Sequence, residues 1–193
     1  MKKLMIIATV AIAAIAANAS NVRWGTTTGT HLDYTTEGQE GLQDGKAYLV
    51  LLSNQPGAYA NVTAANAALP DIDAFKLQDG KYTEASITAA GGIIFRTGDL
   101  ENGAYFPDVE SIASGPNGTG KYYAYMVAIG SDGESIALSK TANEFTLIAA
   151  TTPVNKYWNP ANNAFSYAVA PEPTSGLLLL LGVAGLALKR KRA

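Results

Sequence analysis

Cysteine is absent from this 193-residue sequence, and histidine occurs once, at His31. A chain without thiols has no disulfide staple, no thiolate metal site and no thiol nucleophile. One imidazole with no cysteine also excludes a transition-metal cluster built from the usual ligands. Charge is scarce as well, at 16% of residues, where globular domains carry about 25%. There is no Gly-x-Ser-x-Gly elbow, no phosphate-binding loop and no dinucleotide fingerprint. The Gly-rich stretch Gly115-Pro116-Asn117-Gly118-Thr119-Gly120 precedes a strand-like run and reads as a turn.

Long apolar runs are confined to the two ends. The N-terminus opens with Met1-Lys2-Lys3, continues with an apolar run from Leu4 to Ala17 broken only by Thr9, and reaches Ala17-Asn18-Ala19. A basic start, a short hydrophobic region and a small-x-small site, in that order, make a secretory signal peptide. The run is shorter than the roughly 20 apolar residues of a spanning helix. Residues 1–19 are therefore assigned to the signal, with Ala17 and Ala19 in the signal peptidase site and the cut after Ala19.

The C-terminus reads Pro171-Glu172-Pro173-Thr174-Ser175-Gly176, then Leu177 to Leu188 with only Leu, Val, Ala and Gly, then Lys189-Arg190-Lys191-Arg192-Ala193. The two prolines hold the backbone extended and stop a helix from starting early. At about 1.5 Å per residue, 177–188 reaches about 18 Å as a helix, short of the roughly 30 Å hydrocarbon core. The basic end can snorkel to recover part of the difference, and by the positive-inside rule it stays cytoplasmic. The motif, the short apolar helix and the basic cluster, in this order at the chain end, closely resemble the PEP-CTERM sorting signal. The resemblance covers residues 171–193 only. It implies an exosortase substrate: Pro171, Glu172 and Pro173 would be read by a membrane protease that removes the helix. Proteins with such tails are surface, matrix or secreted proteins of bacteria that make extracellular polysaccharide, which the resemblance brings in as a partner.

Between the ends, residues 20–170 are long enough for a core that needs no staples. They carry eight basic and fifteen acidic side chains, a net of −7, against −2 for the whole chain. An acidic domain repels phosphate backbones, so nucleic acid is excluded as a partner. Strand signals dominate. Lys46 to Leu52 suits a strand buried on both faces, and Tyr122–Ile129, the Gly130-Ser131-Asp132-Gly133-Glu134 turn and Ser135–Ser139 read as a hairpin. Glu144–Ala149 reads as a partner strand, Ile87 and Gly92–Arg96 as further strands, and Asn21–Thr28 as the first strand of the mature chain. Asn61–Leu69 can form two helical turns and Asp71–Leu77 another short one. Residues 151–170 read as a late strand or loop leading to a linker. The expected fold is mainly β: an antiparallel β-sandwich, jelly-roll or Ig-like, with at most one short helix. Leu42-Gln43-Asp44-Gly45-Lys46 returns as Leu77-Gln78-Asp79-Gly80-Lys81. With unmatched flanks and two copies, it reads as two Asp-Gly turns rather than a repeat.

Sites for chemistry are few. Asp71-x-Asp73 and Asp99-x-Glu101 have a calcium-loop spacing but lack the EF-hand pattern, so they read as solvated loop acids. His31, in Gly29-Thr30-His31-Leu32-Asp33, reads as structural or exposed. Ten tyrosines and two tryptophans raise a glycan-binding alternative through Tyr123, Tyr125, Tyr157 and Trp158, against the plainer reading of strand packing. A pair among the acids leaves open an extracellular hydrolase. The leading expectation is a non-enzymatic bacterial surface or matrix protein with no cofactor and no metal. It is exported through signal peptidase and held in the membrane by 177–188 until an exosortase-type protease acts. Intact-mass measurement of the exported protein tests both processing events. The expected chain begins at Ser20 and ends near 171–174, and chains still carrying Lys189–Arg192 would count against cleavage of the tail.

Overall fold

The computed structural model describes residues 20–52, 71–107, 110–112, 120–147, 150–162 and 164–170. The signal segment, the 61–69 helix expectation and the whole sorting tail, including Pro171, Glu172, Pro173 and 177–188, lie outside the described residues. Nine strands are described: β1 (Ser20–Thr26), β2 (Lys46–Leu52), β3 (Gly92–Asp99), β4 (Glu110–Ile112), β5 (Gly120–Ile129), β6 (Ser135–Ser139), β7 (Asn143–Leu147), β8 (Ala150–Trp158) and β9 (Phe165–Val169). One α-helix, α1 (Glu84–Ala89), and three 3₁₀ turns at Glu40–Gln43, Ile72–Ala74 and Pro160–Asn162 complete the described elements. The protein is mainly β.

The main sheet runs β3-β2-β5-β6-β9 and is antiparallel throughout. Its long strand β5 serves two partners on one edge: β6 takes Val127–Ile129 and β7 takes Gly120–Ala124. The hairpin turns as the Asp-Gly signal requires, with Gly133 at φ 74 and the Gly130 amide bonded to the Ser135 carbonyl at 2.8 Å. The second sheet has the order β4-β1-β8. Here the expectation of antiparallel pairing gives way at one point, because β1 and β8 run parallel, with Val22 opposite Val154 and Trp24 opposite Lys156. The register slips between Ser20 and Val22, across the stretch of β8 that holds Pro153. A proline has no N–H for the ladder, which suits its place on an edge strand.

Alternation along the main sheet feeds two apolar clusters. Ala47, Leu49 and Leu51 of β2 with Tyr122, Ala124, Met126 and Ala128 of β5 point to one side, where they join Val22 and Trp24 of β1 and Trp158 of β8. Tyr48 and Val50 with Tyr125, Val127 and Ile129 point to the other, where Phe75, Tyr82 and Ile87 cover them. The sheet is thus buried on both faces, which accounts for the unbroken apolar run in β2.

Ile87 corrects a sequence expectation: it lies in α1, not in a strand. Thr83 and Ser86 form a reciprocal capping box, with the Thr83 amide donating to Ser86 Oγ at 3.1 Å and the Ser86 amide to Thr83 Oγ1 at 3.4 Å. Gly91, at φ 84, follows the end of the helix. Six residues with one buried apolar side chain show no 3.6-residue period, so the pattern missed it. Residues 151–170 resolve into two strands, β8 and β9, where one strand or loop was expected. The short turn expected within 71–77 is the 3₁₀ turn Ile72–Ala74. The internal echo separates in structure. Asp79 and Gly80 both adopt positive φ (51 and 77) in a tight turn, whereas Asp44 closes a 3₁₀ turn at φ −133.

Core tyrosines make stability depend on alkaline pH. Burial pushes the Tyr48 hydroxyl up to about 12, aided by the nearby carboxylates of Glu84 and Asp99. Burial also raises Tyr82, Tyr125 and Tyr167. A raised folded-state pKa means the folded protein holds the proton more tightly, so this stabilisation is complete below the unfolded value near 10 and is lost as pH climbs through the folded one. Denaturant midpoints are expected to hold to about pH 10 and fall towards pH 12. The tyrosinate absorbance of these four residues should appear together with unfolding. Full tyrosine titration near pH 10 with unchanged midpoints would contradict this.

Candidate functional site

The site is built on Tyr105, in the segment between β3 and β4. Its ring packs on Trp24 with centroids 4.4 Å apart. Its carbonyl accepts from the Thr26 amide at 2.8 Å, and its own amide donates to Thr26 Oγ1 at 3.2 Å. Two glycines make room. A Cβ at Gly98 would overlap the Tyr105 ring, and one at Gly25 would overlap the Tyr105 carbonyl, while Gly25 itself sits at φ 137, a conformation other residues adopt only under strain. The Tyr105 backbone therefore lies against β1 at its one residue without a side chain.

The next residue, Phe106, is delivered to the outer face of the small sheet. Val22, Trp24 and Thr26 point inward and are buried, so Arg23 and Gly25 point outward. On β8, Trp158 is buried, so Tyr157 and Asn155 share the outer face, opposite Gly25 and Arg23 respectively. Phe106 stacks on Tyr157 with centroids 5.3 Å apart and planes 19° from parallel, and remains 47% exposed. The result is a two-ring shelf beside a guanidinium and an amide. Arg23 Nε is enclosed and finds no acceptor among the described residues.

Of the four aromatics chosen from sequence, Tyr125 and Trp158 are buried in opposite clusters and indole Nε1 of Trp158 donates to the Thr141 carbonyl at 2.8 Å. Tyr123 and Tyr157 are half-buried. The single strip does not form. Strand parity already excludes it, since adjacent residues such as Tyr157 and Trp158 face opposite ways. Phe106 was missed because it follows no strand period. The available signal was an aromatic pair, Tyr105-Phe106, held between Gly103 and Pro107.

Two concavities lie elsewhere. One, about 490 Å³, is lined by Asp44, Lys46, Tyr48, Lys81, Glu84, Asp99, Ser131 and Asp132 among others. Three of its carboxylates are already engaged: Asp44 by Ser131 Oγ (2.7 Å), Asp99 by Lys46 Nζ (3.0 Å) and Asp132 by the Glu134 amide (2.8 Å). The other, about 520 Å³, is lined by His31, Asp33, Pro160 and Tyr167 among others. His31 lies against Tyr34, and its Nδ1 is 3.1 Å from the Leu32 carbonyl oxygen. Asp33 takes four bonds from the amides and hydroxyls of Thr35 and Thr36. These bonds, led by the Thr36 hydroxyl, lower its pKa, the reverse of what a general acid needs. Asp71 accepts from the Asp73 amide at the start of a 3₁₀ turn, and Glu101 is exposed. Among the described residues no three metal-ligating side chains gather, and no helix is long and apolar enough to cross a membrane. No protein-family model, curated protein or solved structure matches the chain.

Gly25→Ala should cost on the order of 3 kcal/mol, because it strains the backbone and expels Tyr105. Phe106→Ala should cost about 1 kcal/mol or less. Denaturant titration of both variants checks the contrast, and equal losses would show that Phe106 is a packing residue.

Proposed function

We propose that this chain is an exported bacterial cell-surface or extracellular-matrix protein without catalytic activity. Signal peptidase cuts it after Ala19, and an exosortase-type protease sorts it through residues 171–193. The observation that carries the reading is the tail itself: Pro171-Glu172-Pro173, twelve residues with no polar side chain, then four consecutive cations. Each part matches one physical step, namely presentation, insertion and stop-transfer. Such a tail holds the chain in the membrane until it is cut. The domain between the cuts, 20–170, is read as a sandwich of two unequal sheets, supported by the cluster that Val22, Trp24 and Trp158 share with β2 and β5. The non-enzymatic reading rests on the sequence, which has one histidine, no cysteine and no nucleophile elbow.

Deletion of residues 171–193 followed by cell fractionation tests the proposal. The truncated protein should move from the envelope to the medium while keeping its native near-ultraviolet spectrum. An unchanged distribution between envelope and medium would overturn it.

A further inference from the structure

A single exposed phenylalanine is ordinary on a protein surface, but Phe106 is held rather than left over. The preceding residue is fixed by Gly25, Gly98, Trp24 and Thr26, and the ring lies flat against Tyr157. We infer that the outer face of the small sheet binds an uncharged polysaccharide. Phe106 and Tyr157 form the stacking platform, and Asn155 and Arg23 supply hydrogen bonds at its flank. The inference goes beyond the sorting proposal and does not depend on it.

Three arguments select this occupant. Aromatic faces are electron-rich, and a pyranose ring presents a face of polarised C–H bonds that settles on them, while its equatorial hydroxyls reach the polar neighbours at the edge. Asn155 is exposed and pairs in register with Arg23, so a donor–acceptor amide and a guanidinium stand one strand repeat from the rings. Size argues against a protein partner. Two rings, one of them half-buried, offer far less than the roughly 800 Å² that each side of a stable protein interface buries, but they match one or two sugar units. Charge decides between glycans. Residues 20–170 carry a net −7, which repels a polyanionic chain and leaves an uncharged one.

Affinity electrophoresis of the full chain through gels containing hydroxyethylcellulose, laminarin, galactomannan or dextran tests this, with polygalacturonate as the anionic comparison. Retardation is expected in at least one neutral gel. Phe106→Ala should weaken it about tenfold. Phe106→Leu, which keeps apolar bulk without a π face, should weaken it comparably with an unchanged near-ultraviolet spectrum. Arg23→Ala should weaken it less. The inference is overturned by no retardation in any neutral gel, by retardation only in polygalacturonate, or by equal retardation of wild type and Phe106→Leu. Self-association in sedimentation that Phe106→Leu abolishes would assign the shelf to a second copy of the chain and overturn it equally.

Discussion

Burying one sheet on both faces is the constraint from which the rest of this structure follows. With no cysteine for a disulfide, the domain rests on its strand ladders and on apolar contact. Strands β2 and β5 supply it in two directions at once, with alternate residues feeding two clusters. Each cluster needs a cover. The small sheet with Trp24 and Trp158 provides one, and Phe75, Tyr82 and Ile87 provide the other. The placement of nearly every described element answers to that need for two covers.

The shelf is a by-product of the same constraint. Tyr105 is drawn into the core against Trp24, and its carbonyl fits beside β1 where Gly25 leaves room. The residue after it cannot follow and is left outside against Tyr157. A packing requirement on one side of the sheet therefore fixes a ring on the other. The candidate surface owes its rigidity to the core beneath it, not to the loop that carries it.

What could be read from the sequence followed from periodicity and turn chemistry. The β2 strand, the β5–β6 hairpin and its Gly133 turn are local patterns with strong signals, and they stand where the residues placed them. The helix α1 was hidden because its evidence is a pair of side-chain caps, Thr83 and Ser86, around a single buried isoleucine. The parallel β1–β8 pair was hidden because partner choice between distant strands leaves no local trace. At the site, the tyrosines and tryptophans in strands drew attention for their chemistry, but parity sent half of them inward. Phe106 lay in an irregular segment where no period could flag it. Pro171, Glu172 and Pro173 drew attention for the opposite reason: the proposed sorting motif is a linear string, and such a pattern needs no fold to be seen.

The parallel pairing of β1 with β8 has a consequence in time. The first strand of the domain can take its central place in the small sheet only when a strand about 130 residues later is present, since Val22 pairs with Val154. Closing so long a loop comes late in folding. Any process that delivers this chain from its N-terminus leaves β1 without its β8 partner until almost the whole domain has arrived, although β4 and Tyr105 are there sooner. The small sheet is thus the part of the fold completed last, by a strand near the end of the domain.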